Sequence, residues 1–237
     1  MSASVVLVHG AWHGAWCFAA LQQALDTRGV PSFAVDLPGH GASTLPLGDL
    51  HSDAAHVTDV LAALDRRVVL VGHSYGGAVV TQAAAQAADV RHLVYLAAFA
   101  LDDGESVLGF LTAQPREEVA LSAAMRPGPE GSTVLDPTTA VPALYGDAEP
   151  GAVAAALARL SPQPLATMTQ PVAGSPRATI PSTYVRCLRD AAVHPHHQAT
   201  MAARCTHAID LDCDHSPFLS RTDELADLLA EIARSAA

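Results

Sequence analysis

Short apolar runs alternate along the chain with longer segments of helical spacing. Val5-Val6-Leu7-Val8, Ser32-Phe33-Ala34-Val35 and Val68-Val69-Leu70-Val71 each read as a buried strand. His92-Leu93-Val94-Tyr95-Leu96, Thr183-Tyr184-Val185-Arg186-Cys187 and Ala208-Ile209-Asp210-Leu211 have the same character. Between the strands the period lengthens. Trp16, Ala19, Ala20, Leu21 and Leu25 mark a helix over Ala15 to Thr27, closed by the C-terminal signal Arg28-Gly29. Ala55, Val57, Val60, Leu61 and Leu64 mark an amphipathic helix from Ser52 to Leu64. The Ala-rich run Ala78 to Ala88, a stretch near Pro195 to Arg204 and a final one from about Thr222 to Ala233 complete the helices. This alternation predicts an α/β fold: a six-stranded, mostly parallel sheet with right-handed crossovers and helices on both faces. The expected strand order is 2-1-3-4-5-6. Its connections reverse direction between strands one and three, and ligands bind beyond the strand ends at such a point.

The rhythm breaks between Asp102 and Ile180. That segment is rich in Pro and Gly and lacks strand–helix alternation; it holds Gln114-Pro115, Arg126-Pro127-Gly128-Pro129, Asp136-Pro137 and Ser161-Pro162-Gln163-Pro164. The spacing predicts one helix over Pro150 to Leu160 and a short one around Arg116 to Met125. We therefore expect a core domain formed by residues 1–101 and 181–237, with 102–180 inserted as a cap or lid. Its apolar side chains suit either a roof over a ligand or a contact in a homodimer.

The chemistry concentrates at the reversal point. Gly72-His73-Ser74-Tyr75-Gly76 fits G-x-S-x-G, with a strand before it and a helix after it. A turn this sharp leaves no room for side chains two residues either side of the Ser. Ser74 then stands at a helix N-terminus, where backbone N–H groups favour negative charge. A Ser hydroxyl needs a base, and the base needs an acid to orient it. Of the 12 His, His215 follows the last strand and falls in the chain order Ser, Asp, His. Asp190 follows the strand before it; Asp102 and Asp103, after strand four, are the alternatives. Asp214 is too close in sequence to His215 to buttress its ring. The backbone N–H groups of Tyr75 and Ala11 are the expected oxyanion donors. His9, His13 and His40 sit in loops on the same face, and His73 is read as packing. His194, His196 and His197 resemble a metal cluster, but with Pro195 between them and no carboxylate spaced to join, they read as a solvated loop. No metal is expected.

Composition narrows the partners. A formal net charge of −11 argues against nucleic acid or an anionic membrane surface. All 13 basic residues are Arg, which excludes lysine Schiff-base chemistry, a P-loop lysine and a Ser–Lys dyad. No apolar run approaches a membrane span, and the N-terminus carries no signal-type pattern. Four Cys without C-x-x-C spacing read as reduced thiols, so a cytoplasmic location is expected.

With these residues assembled, the chain resembles the α/β-hydrolase superfamily, in particular the branch of methylesterases, hydroxynitrile lyases and their bacterial esterase relatives. The matching pieces are Val6 to Trp16, Leu70 to Gly77, Leu96-Ala97-Ala98-Phe99, Arg186 to Asp190 and Asp214-His215-Ser216-Pro217. The resemblance implies a Ser74–His215–Asp190 triad, with Ala11 and Tyr75 as oxyanion donors and no metal or organic cofactor. It implies a serine esterase acting on a small-molecule ester. Lyases of the branch carry a Lys after the catalytic His and a Thr in the oxyanion loop; here Ser216 and Ala11 stand there. Other reactions on the same triad (carbon–carbon bond hydrolysis, acyl transfer, perhydrolysis) and a receptor-like binder remain open. Trp12 and Phe99 suit a small hydrophobic substrate.

Overall fold

Val5 and Leu7 face one side of a sheet and Val6 and Val8 the other, and all four are fully buried. A strand buried on both faces needs a continuous apolar run, which is why this one lacks alternation. The computed structural model describes residues 2–237. Its main sheet is formed by β1 (Ser4–Val8), β2 (Ser32–Val35), β3 (Val68–His73), β4 (Val90–Leu96), β5 (Ser182–Cys187) and β6 (His207–Leu211). Every neighbouring pair is parallel, in the order β2-β1-β3-β4-β5-β6. The expected order is the observed one, and "mostly parallel" becomes wholly parallel.

Helices cover both faces. On one, α1 (Ala19–Thr27) brings Leu21 and Leu25 against Val5, Leu7, Val69 and Val71. On the other, α2 (Leu50–Leu64) and α3 (Gly76–Ala84) bring Val57, Leu61 and Val79 against Val6, Val8 and Leu70. The helix α2 begins two residues before the predicted start. Asp49 accepts from the Ser52 N–H at 2.9 Å while the Ser52 hydroxyl accepts from the Asp49 N–H at 2.7 Å, a reciprocal cap that satisfies two end donors.

Residues 102–180 add no strand to the main sheet. They hold α4 (Val107–Ala113), α5 (Ala120–Ala124), α6 (Pro137–Leu144), α7 (Pro150–Leu157) and α8 (Ala166–Thr169). They also form a small antiparallel sheet from Met125–Pro127, Ser132–Leu135 and Gln163–Pro164, which corrects the reading of this segment as strand-free. These strands are two to four residues long, too short for a period of two to register. Two of them end in Pro, which a sheet tolerates at its edge. The helix α6 was also hidden by its prolines: Pro137 opens it, a position without a helical N–H partner, and Pro142 lies inside it.

Downstream come α9 (Pro195–Ala202), α10 (Pro217–Ser220) and α11 (Thr222–Ser235); Leu225 and Leu229 of α11 join α1 on its side of the sheet. Residues 102–180 are tied to the loop after β6 by backbone and side chain together. The Asp147 N–H donates to Asp214 Oδ2 at 3.1 Å and the Asp214 N–H to Asp147 Oδ2 at 3.0 Å. Among the described residues no helix is long and apolar enough to cross a membrane.

Candidate active site

The turn after β3 holds Ser74 at φ 53°, in the left-handed region. A non-glycine residue there is strained, and the surroundings must over-determine it. They do: the Ser74 N–H donates to the Leu96 carbonyl at 3.2 Å, and the Ser74 carbonyl accepts from Gly77 and Phe99, each at 3.0 Å. A Cβ on Gly72 would lie 2.5 Å from the Gly76 carbonyl oxygen, the turn-on-helix collision the motif implies. A Cβ on Gly76 would instead lie 2.6 Å from the carbonyl oxygen of Val8, so that glycine is demanded by the end of β1.

Asp190 sits in the loop after β5 and His215 in the loop after β6. His215 Nδ1 donates to Asp190 Oδ2 at 2.7 Å, and both side chains are buried. Asp190 Oδ1 accepts from the Ala192 and Val193 N–H groups at 2.7 and 2.9 Å, and Oδ2 also accepts from Gln198 Nε2 at 2.8 Å. Three donors thus fix the carboxylate before it meets the imidazole. The bond from Nδ1 leaves His215 Nε2 free to accept a proton. Beneath it His73 packs at 4.5 Å between ring centroids, and its Nε2 donates to the His215 carbonyl at 2.9 Å. Burial and the neighbouring imidazoles hold His73 well below the usual histidine range, so it stays a neutral spacer. Among the described residues no hydrogen bond joins Ser74 Oγ to His215; such contacts commonly tighten only when substrate is bound. Asp102 meets Arg177 and Arg204, and Asp103 accepts from the Gly174 N–H, so neither alternative acid reaches His215.

Ala11, Trp12, Ser74, Tyr75 and Phe99 all line one cavity of about 550 Å³, together with Val107, Leu111, Leu121, Met125 and Met168. The Ala11 and Tyr75 N–H groups have no acceptor among the described residues, and both residues are buried. Two unfilled donors beside Ser74 are what an incoming oxyanion requires. Trp12, at φ 63°, is also held in the left-handed region. Trp16 does not reach the cavity; it stacks on His13 at 5.5 Å.

The loop histidines build walls. His9 Nδ1 donates to the Gly10 carbonyl at 2.8 Å while Nε2 accepts from the Leu37 N–H at 3.1 Å. His13 Nδ1 donates to the Ala11 carbonyl at 2.8 Å while Nε2 accepts from the Tyr145 hydroxyl at 2.7 Å. Burial lowers their pKa values to about 3 and about 4, so both are neutral at ordinary pH. His40 meets the Pro38 carbonyl and Gln163.

The His194–His197 stretch departs from the sequence reading. Pro195 is the first residue of α9 and His194 its N-cap. A carboxylate does join them: Glu117, between α4 and α5, lies 2.7 Å from His196 Nδ1 and 3.7 Å from His194 Nε2. No local pattern marks Glu117, because the pairing depends on how the insert folds back. The same holds for Gln163 and Gln198, which the sequence reading missed and which carry no motif.

A parallel sheet in this order, with a strained Ser between β3 and α3 and a buried His–Asp pair beyond β5 and β6, defines an α/β hydrolase. The chain belongs to the alpha/beta hydrolase family, whose sequence model matches residues 5–228. The alpha/beta hydrolase nvfD of Aspergillus novofumigatus is 30% identical over 250 residues, covering 98% of this chain and 97% of its own. The carbendazim hydrolyzing esterase of Nocardioides sp. (strain SG-4G) is 40% identical over 114 residues, 46% of this chain and 47% of that protein, so this match spans about half of each. The crystal structure of the methylesterase MES16 from Arabidopsis matches with a TM-score of 0.80 at 26% identity, over 97% of this chain and 98% of that one.

Proposed function

We propose that the protein is a carboxylic ester hydrolase working through Ser74, His215 and Asp190. The observation that carries this reading is the 2.7 Å bond from His215 Nδ1 to a carboxylate already fixed by three other donors. It leaves Nε2 without a partner and able to take a proton, whereas His73, whose Nδ1 is also unpartnered, is held well below the usual histidine range by burial. Ser74 attacks the ester carbonyl as Nε2 takes its proton, and the oxyanion settles on the Ala11 and Tyr75 N–H groups. His215 then protonates the leaving alcohol. Water, deprotonated by the same nitrogen, releases the acid from the acyl-enzyme. The esterase and methylesterase names of the relatives support this class of reaction.

The cavity supports a hydrophobic substrate. Val107, Leu111, Leu121, Met125 and Met168 line it with Trp12 and Phe99, which suits an ester whose acyl or alcohol part is apolar. The test is covalent trapping: incubation with a p-nitrophenyl fluorophosphonate, then intact and peptide mass spectrometry. One adduct, on the Ser74 peptide, with parallel loss of p-nitrophenyl butyrate hydrolysis, is expected. Full labelling elsewhere, or none, contradicts the reading.

A further inference from the structure

Glu117, His194 and His196 converge where the insert meets α9, outside the hydrolytic machinery. We propose that they form a binding site for a divalent transition-metal ion of the zinc class, bridging cap and core at the rim of the cavity. Each residue offers one ligand atom, and all three atoms lie within 4.8 Å of one another. Glu117 Oε1 is 2.7 Å from His196 Nδ1, Oε2 is 3.7 Å from His194 Nε2, and the two rings are 5.0 Å apart at 71°. In a tetrahedral site with bonds of about 2.0–2.1 Å, ligand atoms stand roughly 3.3 Å apart. The observed separations fall on both sides of that value. The exposed His196, at 77% side-chain exposure, is free to make the small adjustment.

The donor set selects the ion. Two imidazoles and one carboxylate suit zinc and its neighbours and are poor for calcium or magnesium, which prefer oxygen. Three ligands leave a fourth position for water or for a ligand oxygen in the cavity, which Glu117 and His194 both line. The frame is built in advance. His197 Nε2 donates to the Pro115 carbonyl at 3.1 Å, docking the segment that carries Glu117 onto α9. Pro195 fixes the first turn between the two ligating histidines. Ligation takes the lone pair of His196 Nδ1, which then gives up its hydrogen bond to Glu117 and leaves the ring proton on Nε2. His194 shifts its Nε2 proton to Nδ1 and gives up the long 3.3 Å hydrogen bond from the His196 N–H. The ion would join the insert to the loop that supplies the Ala192 and Val193 N–H groups to Asp190.

The test is titration of the full chain with cobalt(II) and zinc(II). Visible absorption reports tetrahedral cobalt, and calorimetry reports zinc. Parent, Glu117→Gln, His196→Asn and the control His51→Asn are compared, because adventitious binding by other histidines must be separated. We expect one saturable site in the parent and control, and at least about tenfold weaker binding in both ligand variants. Circular dichroism checks that each variant is folded. No saturable site in the parent, or equal affinity in all four proteins, overturns the proposal.

Discussion

Gln163 accepts a hydrogen bond from the Trp12 backbone N–H at 3.1 Å. The same Oε1 meets His40 Nε2 at 3.0 Å, and Gln163 Nε2 donates to Thr167 Oγ1 at 3.0 Å. The Trp12 indole N–H reaches Thr133 Oγ1 at 3.1 Å. Two strands of the insert therefore hold a strained residue that directly follows Ala11. Gln163→Leu would strand the buried Trp12 N–H, at about 1–3 kcal/mol, and remove the contacts to His40 and Thr167. We predict a lower unfolding midpoint and a kcat reduced roughly tenfold or more, with KM changed less, because the loop carrying a proposed oxyanion donor loosens. Michaelis kinetics with a p-nitrophenyl ester decide it; an unchanged kcat would show that the loop holds itself.

Beneath the elbow, the Tyr75 hydroxyl donates to Asp53 Oδ2 at 2.7 Å, while Asp53 Oδ1 is buried without a partner. Burial raises the Asp53 pKa to about 7 from an ordinary 3.8, against the opposing pull of the Tyr75 hydrogen bond. The folded state thus binds this proton more tightly than the unfolded chain. Its contribution is fully present below about pH 4 and is lost as pH rises through about 7. Asp53→Asn should be the more stable protein at pH 8, by an amount on the order of a few kcal/mol, and should flatten the decline between pH 4 and 7. Urea unfolding at pH 5 and pH 8 checks this; a variant less stable than the parent at pH 8 would refute it.

Gly76→Ala puts a methyl group 2.6 Å from the Val8 carbonyl oxygen, a backbone atom that cannot swing aside. We expect a protein that is insoluble or unfolds at markedly lower temperature. Gly151, inside α7, has nothing within 4 Å of its Cβ position. Gly151→Ala should therefore be neutral or stabilising by up to about 1 kcal/mol. Equal behaviour of the two in thermal unfolding would contradict the steric account.

Asp190→Asn offers an amide where His215 Nδ1 and Gln198 Nε2 both need an acceptor. The imidazole is then driven to the other tautomer, with its proton on Nε2 and no basic nitrogen facing Ser74. We predict a kcat loss of about 10⁴. Gln198→Leu keeps the carboxylate and should cost far less. Comparable losses in the two would mean that Asp190 acts through packing alone.

What could be read from the sequence was local. Val68 to Gly77 announces strand, turn and helix within ten consecutive positions, because each signal acts on its neighbours. Asp190 and His215 could be nominated because a parallel sheet delivers every strand end to the same edge. Gln163, Gln198 and Glu117 could not. Each reaches a partner from a distant element, and a Gln or Glu in a Pro-rich loop looks like any solvated residue. The Asp53–Tyr75 bond was hidden similarly: Asp53 reads as an acidic residue in the first turn of α2, where acids are common for electrostatic reasons. The short strands of the insert were illegible because stretches this brief carry no period.

The measurement closest to the central claim compares hydrolysis of p-nitrophenyl acetate and butyrate by the parent and by Ser74→Ala. Removing a triad nucleophile costs on the order of 10⁶ in kcat in a well-studied serine hydrolase. The account predicts an active parent and a folded variant reduced to near background. A variant that turns over ester as fast as the parent would contradict it, and Ser74 would then be no nucleophile.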